Sequence, residues 1–164
     1  GRLLAAAEEE AIQRRFAAVS CGSVMSAKLI TVTAEDSLAT AAELFHRHLI
    51  KSLPVIGPQG ELHGLLLRSD LFDWLWEGHR RSLWRQLLRR PPAATVARLM
   101  RAPEICVEES TPLGELLATL AQHTVPFIPV LRGTQLAGLI TRSDVIRALL
   151  SLQPPTPTRT TLRL

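Results

Sequence analysis

GLITRSD, Gly138–Asp144, repeats almost letter for letter the stretch GLLLRSD, Gly64–Asp70. Outward from this pair the chain lines up with itself. Met25 falls on Met100, Leu38 on Leu113, and LPV at 53–55 on IPV at 128–130, all at a shift of 75. One residue then drops out of a loop, and the two seven-residue stretches match at a shift of 74. A constant shift broken by one loop deletion marks an internal duplication, which decides the architecture before any single motif does.

Each copy carries the same order of local signals. A short β-like run, 29–33 or 104–108, precedes a helix start. Asp36 or Ser37 caps the first helix. Thr111 followed by Pro112 opens the second, since proline suits the first helical position. Apolar residues recur at helical spacing: Leu38, Ala41, Leu44, Phe45 and Leu49 in one copy, Leu113, Leu116, Leu117 and Leu120 in the other. Two apolar strands joined by a glycine-containing turn follow. Ser69-Asp70 or Ser143-Asp144 then opens a last helix. Both copies read β-α-β-β-α, which makes an α/β (α+β) fold. A copy of roughly 50 residues does not cover both faces of its own sheet, so the two are expected to pack as a pseudo-two-fold pair.

The boundaries read 1–22 for an N-terminal helix and linker, 23–78 for the first repeat and 79–96 for a Trp/Arg-rich connector. The second repeat is 97–152, and 153–164 is a Pro/Thr-rich flexible tail. The N-terminal helix, Leu3 to Val19, is expected to bury Leu4, Ile12, Phe16 and Val19, and its place before the first repeat suits a coupling element.

The 164 residues carry a net charge of +4, with Lys28 and Lys51 as the two lysines and arginine as the rest of the basic side chains. That balance favours an anionic partner without choosing one. Cys21 and Cys106 stand far apart with no CxxC spacing. This argues against a disulfide framework or a zinc site and for a reduced, cytoplasmic setting. No apolar run approaches the roughly 18 residues of a membrane span. The chain begins with Gly1 rather than Met, which suggests a piece of a longer protein, with any membrane spans in the remainder. His46 and His48, two apart on a helix, face different ways, so no metal pair is expected. No nucleophile–base set and no Gly-rich phosphate loop stands out, so the chain is not expected to be an enzyme.

Taken in order and twice over, VMS and LMR, the ITV-type strand, the h-P-V strand and the closing G-h-h-(T/S)-x-x-D resemble the tandem CBS domain pair, or Bateman module, over about 24–150. A narrower resemblance, carried by the Ala/Glu/Arg-rich helix running into CGSVMS, is to the cytosolic part of bacterial HPP-family membrane proteins. The CBS resemblance implies two clefts between the repeats. It implies an adenosine-containing regulatory ligand, AMP or ATP foremost, with no required cofactor. It also implies a homodimer that controls an attached or partner transporter or enzyme.

Mapped by that resemblance, one cleft combines Thr141, Asp144, Arg142 and Lys51 around ribose and phosphate with Ile30 and Ile50 around the purine. A carboxylate at a helix start can accept both ribose hydroxyls, and helix N-terminal amides favour an anion nearby. The other cleft combines Asp70 and Lys51 with Ile105, Val125 and Pro126. It has Leu67 where the pattern has a hydroxyl, which predicts a weaker site. The plainer reading of Ser-Asp is a helix cap alone.

Two rival functions remain open. One is a ligand-free dimerisation or docking module. The other is membrane-surface or nucleic-acid contact through WLWEGHRRSLWRQLLRR, 74–90. A linker helix that packs its Trp/Leu face is the favoured reading of that stretch, and the want of a recognition fold counts against nucleic acid.

Overall fold

The computed structural model describes residues 1–80 and 94–152. Most of the expected connector, including Trp84, Arg85, Arg89 and Arg90, and the expected tail lie outside the described residues. The elements run α1 (Arg2–Ala18), α2 (Cys21–Val24), α3 (Leu38–His48), β1 (Ser52–Ile56), β2 (Leu62–Leu67) and α4 (Arg68–Arg80). After a 3-10 turn at Val96–Arg98 come β3 (Val107–Glu108), α5 (Leu113–Leu120), β4 (Phe127–Arg132), β5 (Gln135–Thr141) and α6 (Arg142–Leu152).

The β-α-β-β-α order appears in both repeats, and each has its own small sheet. β1 pairs antiparallel with β2. β3 pairs parallel with β4, which pairs antiparallel with β5. The first strand of the first repeat is reduced to one parallel bridge, Val32 to Val55, the counterpart of Val107 to Val130. Both hairpins slip register at the equivalent point, after Val55 and after Val130. Their turns place Gly60 and Gly133 at φ 80° and 64°, a region that favours glycine.

The repeats exchange backbone. Ser26, just before the first repeat's strand, pairs with Leu139 of β5, and Arg101 pairs with Leu65 of β2. The four N–H···O bonds of these two bridges span 2.8–3.1 Å. Each leading segment therefore extends the sheet of the other repeat. This also explains a proline inside each central strand. Leu65 stands opposite Pro54 but directs its N–H and C=O away, to Arg101, so the ladder asks no donor of Pro54.

Helix starts follow the same exchange. Leu38 N–H donates to the Ala94 carbonyl at 2.9 Å, and Leu113 N–H to the Val19 carbonyl at 2.8 Å. An orphan amide of each first turn is thus satisfied by the segment that leads into the other repeat. The side chains agree. Phe16 and Cys21 fill a core with Leu113, Leu116, Ile128 and Ile140, while Val96 fills a core with Leu38, Phe45, Leu53 and Leu66.

Three local expectations are corrected, and one choice between two caps is decided. In α1 Phe16 is buried and Val19 half-buried, but Leu4 is 71% and Ile12 39% exposed. The helix meets α5 and α6 through its C-terminal end, where Arg15 donates to the Leu152 carbonyl at 2.8 Å. Leu49 is not on the buried face of α3. The helix ends at His48, and Leu49 turns left-handed (φ 53°) and out to solvent. Ser37 is the cap of α3, its Oγ accepting from Thr40 N–H, whereas Asp36 braces the preceding turn by accepting from Thr33 N–H. Pro112 occupies the cap position of α5 rather than its first helical position.

The repeated glycine of the opening stretches has a steric cause. A Cβ on Gly64 would stand 2.9 Å from the Arg101 carbonyl oxygen, and one on Gly138 would stand 2.8 Å from that of Ser26. Gly64→Ala is expected to lower unfolding free energy by about 1–3 kcal/mol at unchanged denaturant slope, with Gly138→Ala similar, read by urea denaturation. The thiols give a second check. Burial, aided by the Glu115 charge, pushes the Cys21 thiol from 9.0 up to about 11, and Cys21 is fully buried while Cys106 is exposed. A thiol reagent should label Cys106 at once and Cys21 only as the fold opens. The unfolded chain ionises Cys21 first, so this group's contribution to stability should fall as pH rises from 9 towards 11.

Candidate functional site: a cleft between the repeats

The end of β5 and the start of α6 form a reciprocal cap. Thr141 N–H and Oγ1–H donate to Asp144 Oδ2 at 2.8 and 3.0 Å, and Asp144 N–H reaches back to Thr141 Oγ1 at 3.4 Å. This is a capping box with Asp at its third helical position. Arg147 Nη1 adds a bond to Asp144 Oδ1 at 3.2 Å. The cap holds Thr141 and the start of α6 in one orientation at the mouth of a cleft.

That cleft encloses about 650 Å³ between the repeats, within the usual range for a small-molecule site. Ile30, Ile50 and Lys51 line it from the first repeat, Thr141 and Arg142 from the second. Asp144 is not on its surface. Its side chain is largely buried behind Thr141 and lines a neighbouring hollow with Ser23, Met25 and Arg147. Sequence reasoning passed over Lys28, Leu49, Thr124 and Phe127, which also line the cleft. Lys28, Leu29 and Ile30 follow one another in the segment between the Ser26 and Val32 bridges, and all three line the cleft.

The equivalent position on the other side is poorer. A hollow of about 460 Å³ is lined by Lys51, Leu67, Arg68, Asp73 and Pro126. Lys51 and Pro126 meet there, but Val125 is buried in the second core and Ile105 packs against it. Asp70 is held by Arg101 Nη2 at 2.6 Å through Oδ1, and its buried Oδ2 has no hydrogen-bond partner. Leu67, in the place of Thr141, has no hydroxyl to offer it.

Among the described residues no group of three His, Cys, Asp or Glu is placed to hold a metal ion, and no helix is long and apolar enough to cross a membrane.

Comparison with known proteins agrees with this architecture. The CBS domain family matches residues 21–77 and 96–151. Hypoxic response protein 1 of Mycobacterium tuberculosis is 29% identical over 126 residues, covering 77% of this chain and 82% of that protein. The crystal structure of CBSX2 in complex with AMP superposes with a TM-score of 0.68 at 26% identity, over 82% of this chain and 98% of that one. The CBS domain of a CBS domain-containing membrane protein from Sphaerobacter thermophilus shares the fold at a TM-score of 0.69 and 22% identity, over 93% of this chain and 98% of that one. With two matched repeats, two interlocked cores and a cleft between them, the chain belongs to the CBS domain family, as a tandem pair.

Proposed function

We propose that the chain is a regulatory module that binds an adenine nucleotide in the cleft between its repeats and controls an attached or partner protein. The observation that carries this reading is the composition of the cleft. Two half-buried isoleucines, Ile30 and Ile50, face a hydroxyl and two cations, Thr141, Lys51 and Arg142, across the repeat boundary. The purine lies against the isoleucines, the ribose meets Thr141 with Asp144 behind it, and the phosphates meet Lys51 and Arg142. A related CBS pair solved with AMP supports the ligand class. The role is regulatory rather than catalytic. The nucleotide touches both repeats and shifts their arrangement only by its differential affinity for two states. The second hollow, with Leu67 for a hydroxyl and Asp70 tied to Arg101, is the weaker site. Free thiols, one of them exposed, fit a cytoplasmic setting.

A docking role has its own observation. α4 exposes Phe72 and Trp76, and α6 exposes Ile146 and Leu150 at the matching positions of the second repeat. Paired apolar faces on both last helices suit a homodimer, so sensing and dimerisation belong to one reading. In a longer chain, the exposed N-terminal turns of α1 suit contact with the controlled part.

Two outcomes are expected. A saturating adenine nucleotide, at about 100 times its Kd, should raise Tm by roughly 5–10 °C. That shift should be lost in Lys51→Met and reduced in Thr141→Val. No shift with AMP, ADP, ATP or S-adenosylmethionine would leave the docking role alone. Phe72→Glu with Ile146→Glu should convert a dimer to a monomer in sedimentation velocity without loss of helical circular dichroism.

A further inference from the structure

The chain holds two lysines, Lys28 and Lys51, and both line the same cleft together with Arg142. No carboxylate lines it. Five other basic side chains, Arg14, Arg47, Arg101, Arg132 and Arg147, each pair with a glutamate or aspartate. Among the described residues none of the three cleft cations makes an ion pair. The three come from separate parts of the chain, Lys28 from the segment that crosses to β5, Lys51 from the start of β1 and Arg142 from the start of α6.

Three like charges around one cleft raise the local potential, and an anion of matching charge relieves it. The second hollow differs in this respect as well. Pro103 and Pro126 stand where the first cleft has Lys28 and Lys51, and Asp73 offsets Lys51 and Arg68.

Building on the nucleotide reading, we infer that the cleft counts phosphates. It takes a nucleoside di- or triphosphate in preference to a monophosphate, and disfavours a sulfonium nucleoside, whose positive charge adds to three others. Lys51 and Arg142 serve the phosphates nearest the ribose, and Lys28 is the specificity residue for the terminal one. One such ligand binds per chain.

Isothermal titration of the wild-type chain and of Lys28→Met with adenosine, AMP, ADP, ATP, S-adenosylmethionine and inorganic tripolyphosphate tests this. Affinity should rise from AMP to ATP by roughly tenfold or more, as charge-assisted hydrogen bonds accumulate. Lys28→Met should weaken ATP roughly tenfold while changing AMP by less than about twofold. ATP binding should also fall more steeply with salt than AMP binding. AMP as tight as ATP, S-adenosylmethionine as the tightest ligand, or equal losses for AMP and ATP in Lys28→Met would overturn the phosphate count and leave the nucleotide reading standing. No binding of any nucleotide, or tripolyphosphate as tight as ATP, would overturn the nucleotide reading and this inference with it.

Discussion

The exchange of leading segments is the constraint on which the rest of the structure depends. Ser26 on Leu139 and Arg101 on Leu65 close each small sheet with backbone from the other repeat. Cys21 and Val96, 75 positions apart, each complete the core of the repeat that they do not lead into by sequence. A two- or three-stranded sheet with one helix layer buries too little to stand alone. Reciprocal exchange makes the pair the folding unit, and it explains features that look unrelated. The glycine of each seven-residue stretch admits a crossing backbone. The central prolines sit where no donor is asked of them. The first turns of α3 and α5 find carbonyls at Ala94 and Val19.

Duplication leaves two equivalent helix starts, and Thr141 against Leu67 sets them apart. Thr141 closes a cap with Asp144, so every oxygen of that carboxylate is engaged. Leu67 in the same position leaves Asp70 Oδ2 buried without a partner, a cost on the order of 1–3 kcal/mol for an unsatisfied polar group. The Asp70–Arg101 pair keeps the other oxygen satisfied and also ties α4 to the segment that leads into the second repeat. The first repeat thus retains a structural use for its carboxylate where the second has a cap beside the cleft.

Much of this was legible in the sequence, for physical reasons that can be stated. The repeat register was readable because equivalent cores impose equivalent residues, as with Leu38 and Leu113 or Val55 and Val130. The cleft-lining set Ile30, Ile50 and Lys51 followed from resemblance, with Thr141 and Arg142 on the opposite wall. The exchange was not legible, because periodicity shows which face of a segment is apolar but not which sheet it joins. Nor was the burial of Asp144. A Ser-Asp at a helix start reads the same whether its carboxylate faces a cleft or turns behind Thr141. Leu4 and Ile12 misled because apolar spacing in α1 suggests a buried face, yet among the described residues α1 packs on the module through its C-terminal half.

α1 shows how the same constraint reaches the edge of the module. Phe16 lies in the second core, Arg15 holds the end of α6, and α2 pairs with the approach to α5. The helix therefore moves with the second repeat, although it precedes the first. The cleft joins Arg142 and Thr141, at the start of α6, to Lys28, Ile30 and Lys51. In the proposed reading, a ligand that draws these together would act on α6 at one end, while α1 is fastened at the other. Because packed cores switch between arrangements rather than deform continuously, a change in how the repeats sit would pass to α1 as a rigid displacement. In that reading the cleft would have a mechanical route to whatever contacts the exposed turns of α1.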